Sequence, residues 1–104
     1  MMIVTTNDVA NHEILEVIGY VKGSTVRTKH VGRDITASLK GIVGGEIRGY
    51  NEMMEEARKI AIGRMVEDAE SKGANAIIGF RMQTSTVMQQ AAEIIAYGTA
   101  VKIS

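Results

Sequence analysis

The residues of this chain best suited to chemistry form a short run of imidazole and carboxylate groups near its start. The run His12-Glu13-Ile14-Leu15-Glu16 differs by one residue from the zinc-protease pattern H-E-x-x-H, because glutamate replaces the second histidine. That pattern also requires a helix, whereas this segment is predicted to be a strand. Asp8, His12 and Glu13 remain candidate metal ligands at an interface where several copies each add groups. The alternative is a polar entrance to a strand.

A second group of candidates lies in the most basic stretch of the chain. Four of the seven residues from 27 to 33 have basic side chains, and Asp34 follows as the predicted cap of a helix. Positive groups beside a helix N-terminus favour phosphate or carboxylate. Arg27, Lys29 and Arg33 are therefore candidate ligands for an anion. The alternative is a solvated strand end that forms ion pairs between copies.

Glu93 completes the set of candidate ligand-binding residues. It lies four residues before Tyr97 at the start of the predicted last strand, so the two side chains share a face. Glu93 would serve as acid or base in a site made by two subunits, with Arg27 and Lys29 binding an anionic substrate. Alternatively, it forms a salt bridge at an interface. No serine has the context of a catalytic nucleophile, so a non-enzymatic protein is favoured over an enzyme.

Four glycines precede a long helical pattern, as in phosphate-binding loops. They lie within the stretch GIVGGEIRGY, residues 41–50, and none is followed by Lys-Ser or Lys-Thr. The dinucleotide pattern G-x-G-x-x-G is absent as well. Because the residues before Gly41 already have a helical period, this stretch is predicted to be a hinge between a short helix and a long one.

Composition narrows the class of protein. The 104 residues are predicted to form a single domain, 1–104, and 12 basic residues balance 12 acidic ones. This zero net charge opposes a nucleic-acid or membrane partner, and the few aromatic residues oppose base stacking. Without cysteine there are no disulfides, thiolate metal ligands or cysteine nucleophiles. With no basic leader and no apolar run of about 18 residues, a cytoplasmic protein is expected.

Hydrophobic periodicity places these candidates on a small set of elements. The predicted elements, in chain order, are a short strand at residues 2–6; a long strand or bent pair at 12–30, with a bulge at Gly19 or Gly23; a short helix over 34–43; a long helix from about Tyr50 or Asn51 to Lys72, stopped by Gly73; and two strands, 74–88 and 91–103, joined by a turn near Gln89-Gln90. The order β-(β)-α-α-β-β predicts a two-layer α+β domain, with both helices on one face of an antiparallel sheet.

The predicted strands are apolar on both faces. In the last strand, one face has Ile95, Tyr97, Val101 and Ile103, and the other has Ile94, Ala96, Gly98 and Ala100. A sheet with one wet face would alternate apolar and polar residues. We therefore predict that another copy covers the second face in a homo-oligomer. The alternative is a monomer with scattered surface hydrophobic residues.

The segments VGGEIRGY, GANAIIGFR and AYGTAV occur here in the order and at about the spacing found in the YbjQ-like family of small bacterial and archaeal proteins. The resemblance covers essentially the whole chain. It implies a dodecin-like α+β fold, a homopentameric ring and a family label of heavy-metal binding, without an established activity. Because the chain lacks cysteine and has only two histidines, soft metals would lack their preferred ligands.

The favoured function is a cytoplasmic, non-enzymatic homo-oligomer, of five copies by the resemblance. It would bind a small ligand or a divalent cation at subunit interfaces or along its central axis. The alternative is a small enzyme with a composite site between subunits that acts on an anionic substrate.

Overall fold

The computed structural model describes residues 1–28, 48–88 and 91–104. Its elements are β1 (Met2–Ile3), β2 (Ile14–Thr28), α1 (Arg48–Ser71), β3 (Ala76–Met88) and β4 (Ala91–Ile103). The predicted short helix over 34–43, the turn at Gln89-Gln90 and the candidate residues Lys29 and Arg33 lie outside the described residues. The described part is an α+β fold in which α1 packs on a four-stranded sheet.

The sheet has the strand order β1-β3-β4-β2. β4 pairs antiparallel with both β2 and β3, but β1 pairs parallel with β3. The sheet is therefore mixed, and the prediction of a wholly antiparallel sheet is wrong at this edge. The chain between β1 and β3 includes β2 and α1, and a connection of that length allows two strands to run parallel.

β2 changes its pairing register with β4 at two places near its start. The shifts occur between Ile14 and Glu16 and between Val17 and Gly19. Gly19 has a φ of 136°, a conformation that residues with a Cβ rarely adopt. The predicted bulge is confirmed at Gly19, whereas Gly23 pairs regularly with Ala96.

α1 begins two or three residues before its predicted start at Tyr50 or Asn51 and ends one residue before its predicted end. Gly73 has a φ of 84°, the left-handed conformation that commonly follows a helix, as predicted. One face of the helix is buried, with residues at intervals of three and four: Met54, Ala57, Ala61, Met65 and Ala69. Because three of these five are alanines, the helix axis lies close to the sheet.

α1 approaches the sheet closely at Gly23 of β2. A Cβ added there would overlap the Ala61 carbonyl oxygen and the Met65 amide nitrogen, and would lie 2.8 Å from the Arg64 carbonyl carbon. These are main-chain atoms of the helix, which cannot move aside as a side chain would. The absence of a side chain at this position therefore allows the helix to cross the strand.

The two faces of β4 belong to two different hydrophobic clusters. Ile94, Ala96 and Ala100 pack with α1, whereas Val101 and Ile103 pack on the opposite face with Val9, Ala76 and their neighbours. The assignment of β4 residues to two faces is therefore confirmed. In the described residues the second cluster is small, and Val9, in the loop that precedes β2, packs over it.

The amide side chain of Asn75, directly before β3, makes two hydrogen bonds to the main chain of β4. Its Nδ2 donates to the Ile103 carbonyl oxygen (2.9 Å), and its Oδ1 accepts from the Ile103 N–H (2.7 Å). We expect Asn75→Ala to lower the free energy of unfolding by about 1–3 kcal/mol, because both main-chain groups lose their partner. Urea denaturation measures this loss.

Asn75→Asp tests the contributions of the two hydrogen bonds of this side chain separately. Aspartate keeps the acceptor for the Ile103 N–H but places a carboxylate oxygen beside the Ile103 carbonyl. We expect a loss at least as large as that of the alanine variant at neutral pH. An aspartate variant as stable as the parent would show that the Nδ2 hydrogen bond does not contribute.

Candidate functional site

The face of the sheet opposite α1, here called the open face, has no helix packed on it within the described residues. Its side chains alternate along β2 with Val21, Gly23 and Thr25, which are buried under the helix. The register aligns residues of β2, β4 and β3 into rows across it: Tyr20, Thr99 and Ile78; Lys22, Tyr97 and Arg81; Ser24, Ile95 and Gln83; and Val26, Glu93 and Ser85. Tyr20 and Val26 are 61% and 52% exposed. The open face thus mixes apolar and aromatic side chains with uncharged polar ones and with the charged Lys22, Arg81 and Glu93.

Arg27 and Glu93 lie on opposite faces of the sheet. Glu93 is half-buried on the open face, where it pairs with Val26. Arg27 pairs with Ala92 and, two residues beyond the buried Thr25, faces the side of α1. Within one chain these two candidates do not converge, so a composite site that uses both would need residues from another copy.

The imidazole of His12 is held in one orientation by the last residue of the chain. Its Nδ1 lies 2.7 Å from the main-chain oxygen of Ser104, so Nδ1 carries the proton and donates it to that oxygen. The Nε2 lone pair is then available to a ligand. Histidines that bind metals commonly use their other ring nitrogen in this way, because the hydrogen bond fixes the tautomer and the ring plane.

Glu13 lies beside His12 and is fastened to the same residue. Its N–H donates to the Ser104 hydroxyl, and the Ser104 N–H donates to its carbonyl oxygen, both at 3.0 Å. Both hydrogen bonds use the main chain of Glu13, and the residue as a whole is exposed. His12 and Glu13, directly before β2, are therefore both hydrogen-bonded to Ser104.

Asp8 lies in the loop before His12. The Thr6 hydroxyl donates to the Asp8 carbonyl oxygen (2.6 Å), and the His12 N–H donates to the Val9 carbonyl oxygen (3.2 Å). Across the described ranges, no three side chains of histidine, aspartate or glutamate come together as a metal site. The three candidate metal ligands thus form at most part of a site in one chain.

A polar ladder from α1 covers the outer edge of β2, and sequence reasoning missed it. Arg64 Nη1 donates to the Ser24 carbonyl oxygen (2.6 Å), the Lys22 N–H donates to Asp68 Oδ2 (3.3 Å), and Lys72 Nζ donates to the Tyr20 carbonyl oxygen (3.4 Å). The spacing of these three helix residues at i, i+4 and i+8 could have predicted the ladder, because such residues share one face of a helix. The ladder closes residues 20–24 of this edge strand to pairing with another strand.

Nothing helical in the described ranges combines the length and the apolar character that a membrane span requires.

Comparison with known proteins shows similarity along the whole chain. Residues 1–104 match the family model of the YbjQ-like proteins, described as "Putative heavy-metal-binding". A UPF0145 protein from Halalkalibacterium halodurans is 72% identical over 99% of this chain and 97% of its own length. UPF0145 proteins from Clostridioides difficile and Thermotoga maritima are 65% and 54% identical, over 97% and 99% of this chain and 90% and 97% of their own lengths.

A solved structure is similar in fold. The crystal structure of a protein of unknown function from Pediococcus pentosaceus, assigned to the DUF74 family, gives a TM-score of 0.67 at 19% sequence identity. The similarity covers 100% of this chain and 98% of the other. At this level of identity the comparison concerns the fold alone.

Proposed function

Because this chain belongs to the YbjQ-like family, we propose that it is a cytoplasmic, non-enzymatic homo-oligomer that binds a divalent metal ion or a small ligand where its subunits meet. The family resemblance further implies a dodecin-like topology and a ring of five copies. The observation that carries the proposal is that, among the described elements, α1 covers one face of the sheet and no second helix covers the other.

The shape of the chain supports assembly with other copies. The extents of the described structure are 53 × 24 × 16 Å and its radius of gyration is 17.0 Å. A compact domain of this length has a radius of gyration of about 13 Å. In the described residues α1 covers only one face of the sheet, and exposed apolar side chains remain on β1 and β2. Contact with other copies would bury such side chains and add hydrophobic stabilisation.

His12 is the best placed of the metal candidates. Its Nδ1 hydrogen bond to Ser104 leaves Nε2 as the coordinating atom, and the ring is exposed. One chain does not bring three ligands together in its described part, so symmetry-related copies would have to add theirs. Imidazole and carboxylate ligands suit zinc, nickel or copper(II), whereas the missing thiolates disfavour softer ions.

Native mass spectrometry tests the assembly. We expect a species with five times the 11.2 kDa mass of one chain. A closed ring of another size would retain the assembly but reject five as its number. A monomer at micromolar concentration would overturn the proposed function, because the open face would then be a solvated surface.

Calorimetric titration with zinc, nickel and copper(II) tests the metal site. We expect His12→Ala to weaken binding at least 10-fold, because the oriented Nε2 is lost. Glu67→Gln, which alters an exposed carboxylate of α1, is the matched control and should bind as the parent does. Unchanged affinity in the His12 variant, or no binding by the parent, would reject His12 as a ligand.

A further inference from the structure

We propose that neighbouring subunits join edge to edge, with β1 of one copy against residues 14–18 of β2 in the next. This inference rests on the proposed homo-oligomer and identifies the surfaces that form it. Each of the two edges binds another copy of this chain.

The exposed apolar side chains lie at the two edges of the sheet. In the described residues, the large hydrophobic residues that are exposed belong to β1, to the residue before it, and to β2: Met1, Met2, Leu15, Val17, Tyr20 and Val26. Leu15 and Val17 are 60% and 65% exposed. Because β1 and β2 are the first and last strands of the order β1-β3-β4-β2, one chain carries an apolar strip at each end of its sheet.

Among residues 1–28, 48–88 and 91–104, no strand pairs with the outer side of β1 or of β2 at the same two places. The N–H groups of Met2 and Val4 donate inward to β3, to Asn75 (3.4 Å) and Ile77 (2.9 Å). Alternation along a strand then directs the N–H and C=O of Ile3 outward, away from β3. On β2 the ladder from α1 covers residues 20–24 but does not extend to residues 14–18. Open strand edges can pair with a strand from another chain, and the two register shifts of β2 near its start limit that contact to a short stretch.

The charges at the two edges are complementary. Arg81 is exposed beside the β1 edge, where its Nη1 donates to the Thr5 carbonyl oxygen (3.0 Å). Glu13 and Glu16 are exposed on either side of Leu15 at the β2 edge. Glu16 also lies opposite Lys102 on β4, so Glu13 carries the less balanced charge. Opposite charges at the two surfaces favour β1 against β2 over β1 against β1 or β2 against β2.

Contact between two different surfaces is head-to-tail, and it closes into a ring when the rotation per subunit divides a full turn. The contact uses the edges and leaves the open face of each copy free to face the axis of the ring. In a ring of five copies closed with the open faces inward, those faces line a central lumen, because a barrel with four strands from each copy is wide enough to hold water. The edge contact therefore accounts for the assembly and places the open faces around its axis.

Two edge variants and their mixture test the contact. Leu15→Asp with Val17→Asp disables the β2 edge, and Met2→Asp disables the β1 edge. We expect each variant alone to be a monomer in native mass spectrometry. An equimolar mixture should form a heterodimer with one copy of each, because one intact β1 edge meets one intact β2 edge. Heterodimer formation would also show that both variants are folded.

Lys59→Asp, which adds a carboxylate on the exposed surface of α1, is the control and should assemble as the parent does. Rings from either edge variant, or a mixture that stays monomeric, would overturn the edge contact while leaving the homo-oligomer intact. A parent chain that is itself monomeric would instead reject the proposed function. The two failures are therefore distinguishable.

Discussion

Replacing Gly23 with alanine is expected to lower the free energy of unfolding by about 3 kcal/mol or more, the upper end of the cost of inserting atoms into a packed core. The new methyl group would overlap main-chain atoms of Ala61 and Met65. Relief would require α1 to move away from β2, and the contacts of the buried helix face would be lost with it. A domain of ordinary stability has only about 5–15 kcal/mol in total.

Gly63→Ala is the matched control for this substitution. Gly63 lies on the exposed side of the same helix, and a Cβ added there meets nothing within 4 Å. Alanine in a helix interior is more favourable than glycine by about 0.5–1 kcal/mol, so this variant should be more stable than the parent. Urea denaturation of both variants gives the comparison. Equal effects of the two substitutions would contradict the close crossing at Gly23.

Met65→Ala is expected to cost about 2–5 kcal/mol, because truncation of a buried side chain removes hydrophobic contacts and leaves a cavity. Met65 has no exposed surface and is among the largest fully buried side chains of the described residues. It packs where α1 meets β2 and β4, in the cluster that includes Val21 and Ile94. This position joins the two layers of the fold.

Met65→Leu tests whether stability at that position depends on the volume of the side chain or on its sulfur. Leucine nearly conserves the volume, so the expected loss is below about 1.5 kcal/mol. Thermal or urea unfolding of the alanine and leucine variants should therefore give clearly different midpoints. An alanine variant as stable as the leucine variant would show that the core closes around the missing side chain.

Much of the fold follows from local patterns. The long helix, its stop at Gly73 and the two faces of β4 depend on periodicity and on glycine chemistry, which are visible in neighbouring residues. The bulge at Gly19 likewise depends on a conformation that glycine adopts easily. Predictions of this kind need no knowledge of what lies far away in the chain.

The remaining features depend on contacts between distant residues. The parallel pairing of β1 with β3 leaves no pattern in a strand of two residues. The separation of Arg27 from Glu93 follows from the register of β2 and β4, and the orientation of His12 depends on the main chain of Ser104. Neither the partner nor the register is encoded by residue type at one position, so the candidate site was predicted only as a set of residues.

The ladder from Arg64, Asp68 and Lys72 also limits how far α1 can slide along β2. Donors and acceptors alternate along a strand edge, and the ladder aligns cation, carboxylate and cation with C=O, N–H and C=O. A shift of one strand residue, about 3.3 Å, would place the carboxylate against a carbonyl and the cations against N–H groups. The ladder therefore favours separate positions of α1 along β2, and the close contact between α1 and Gly23 selects one of them.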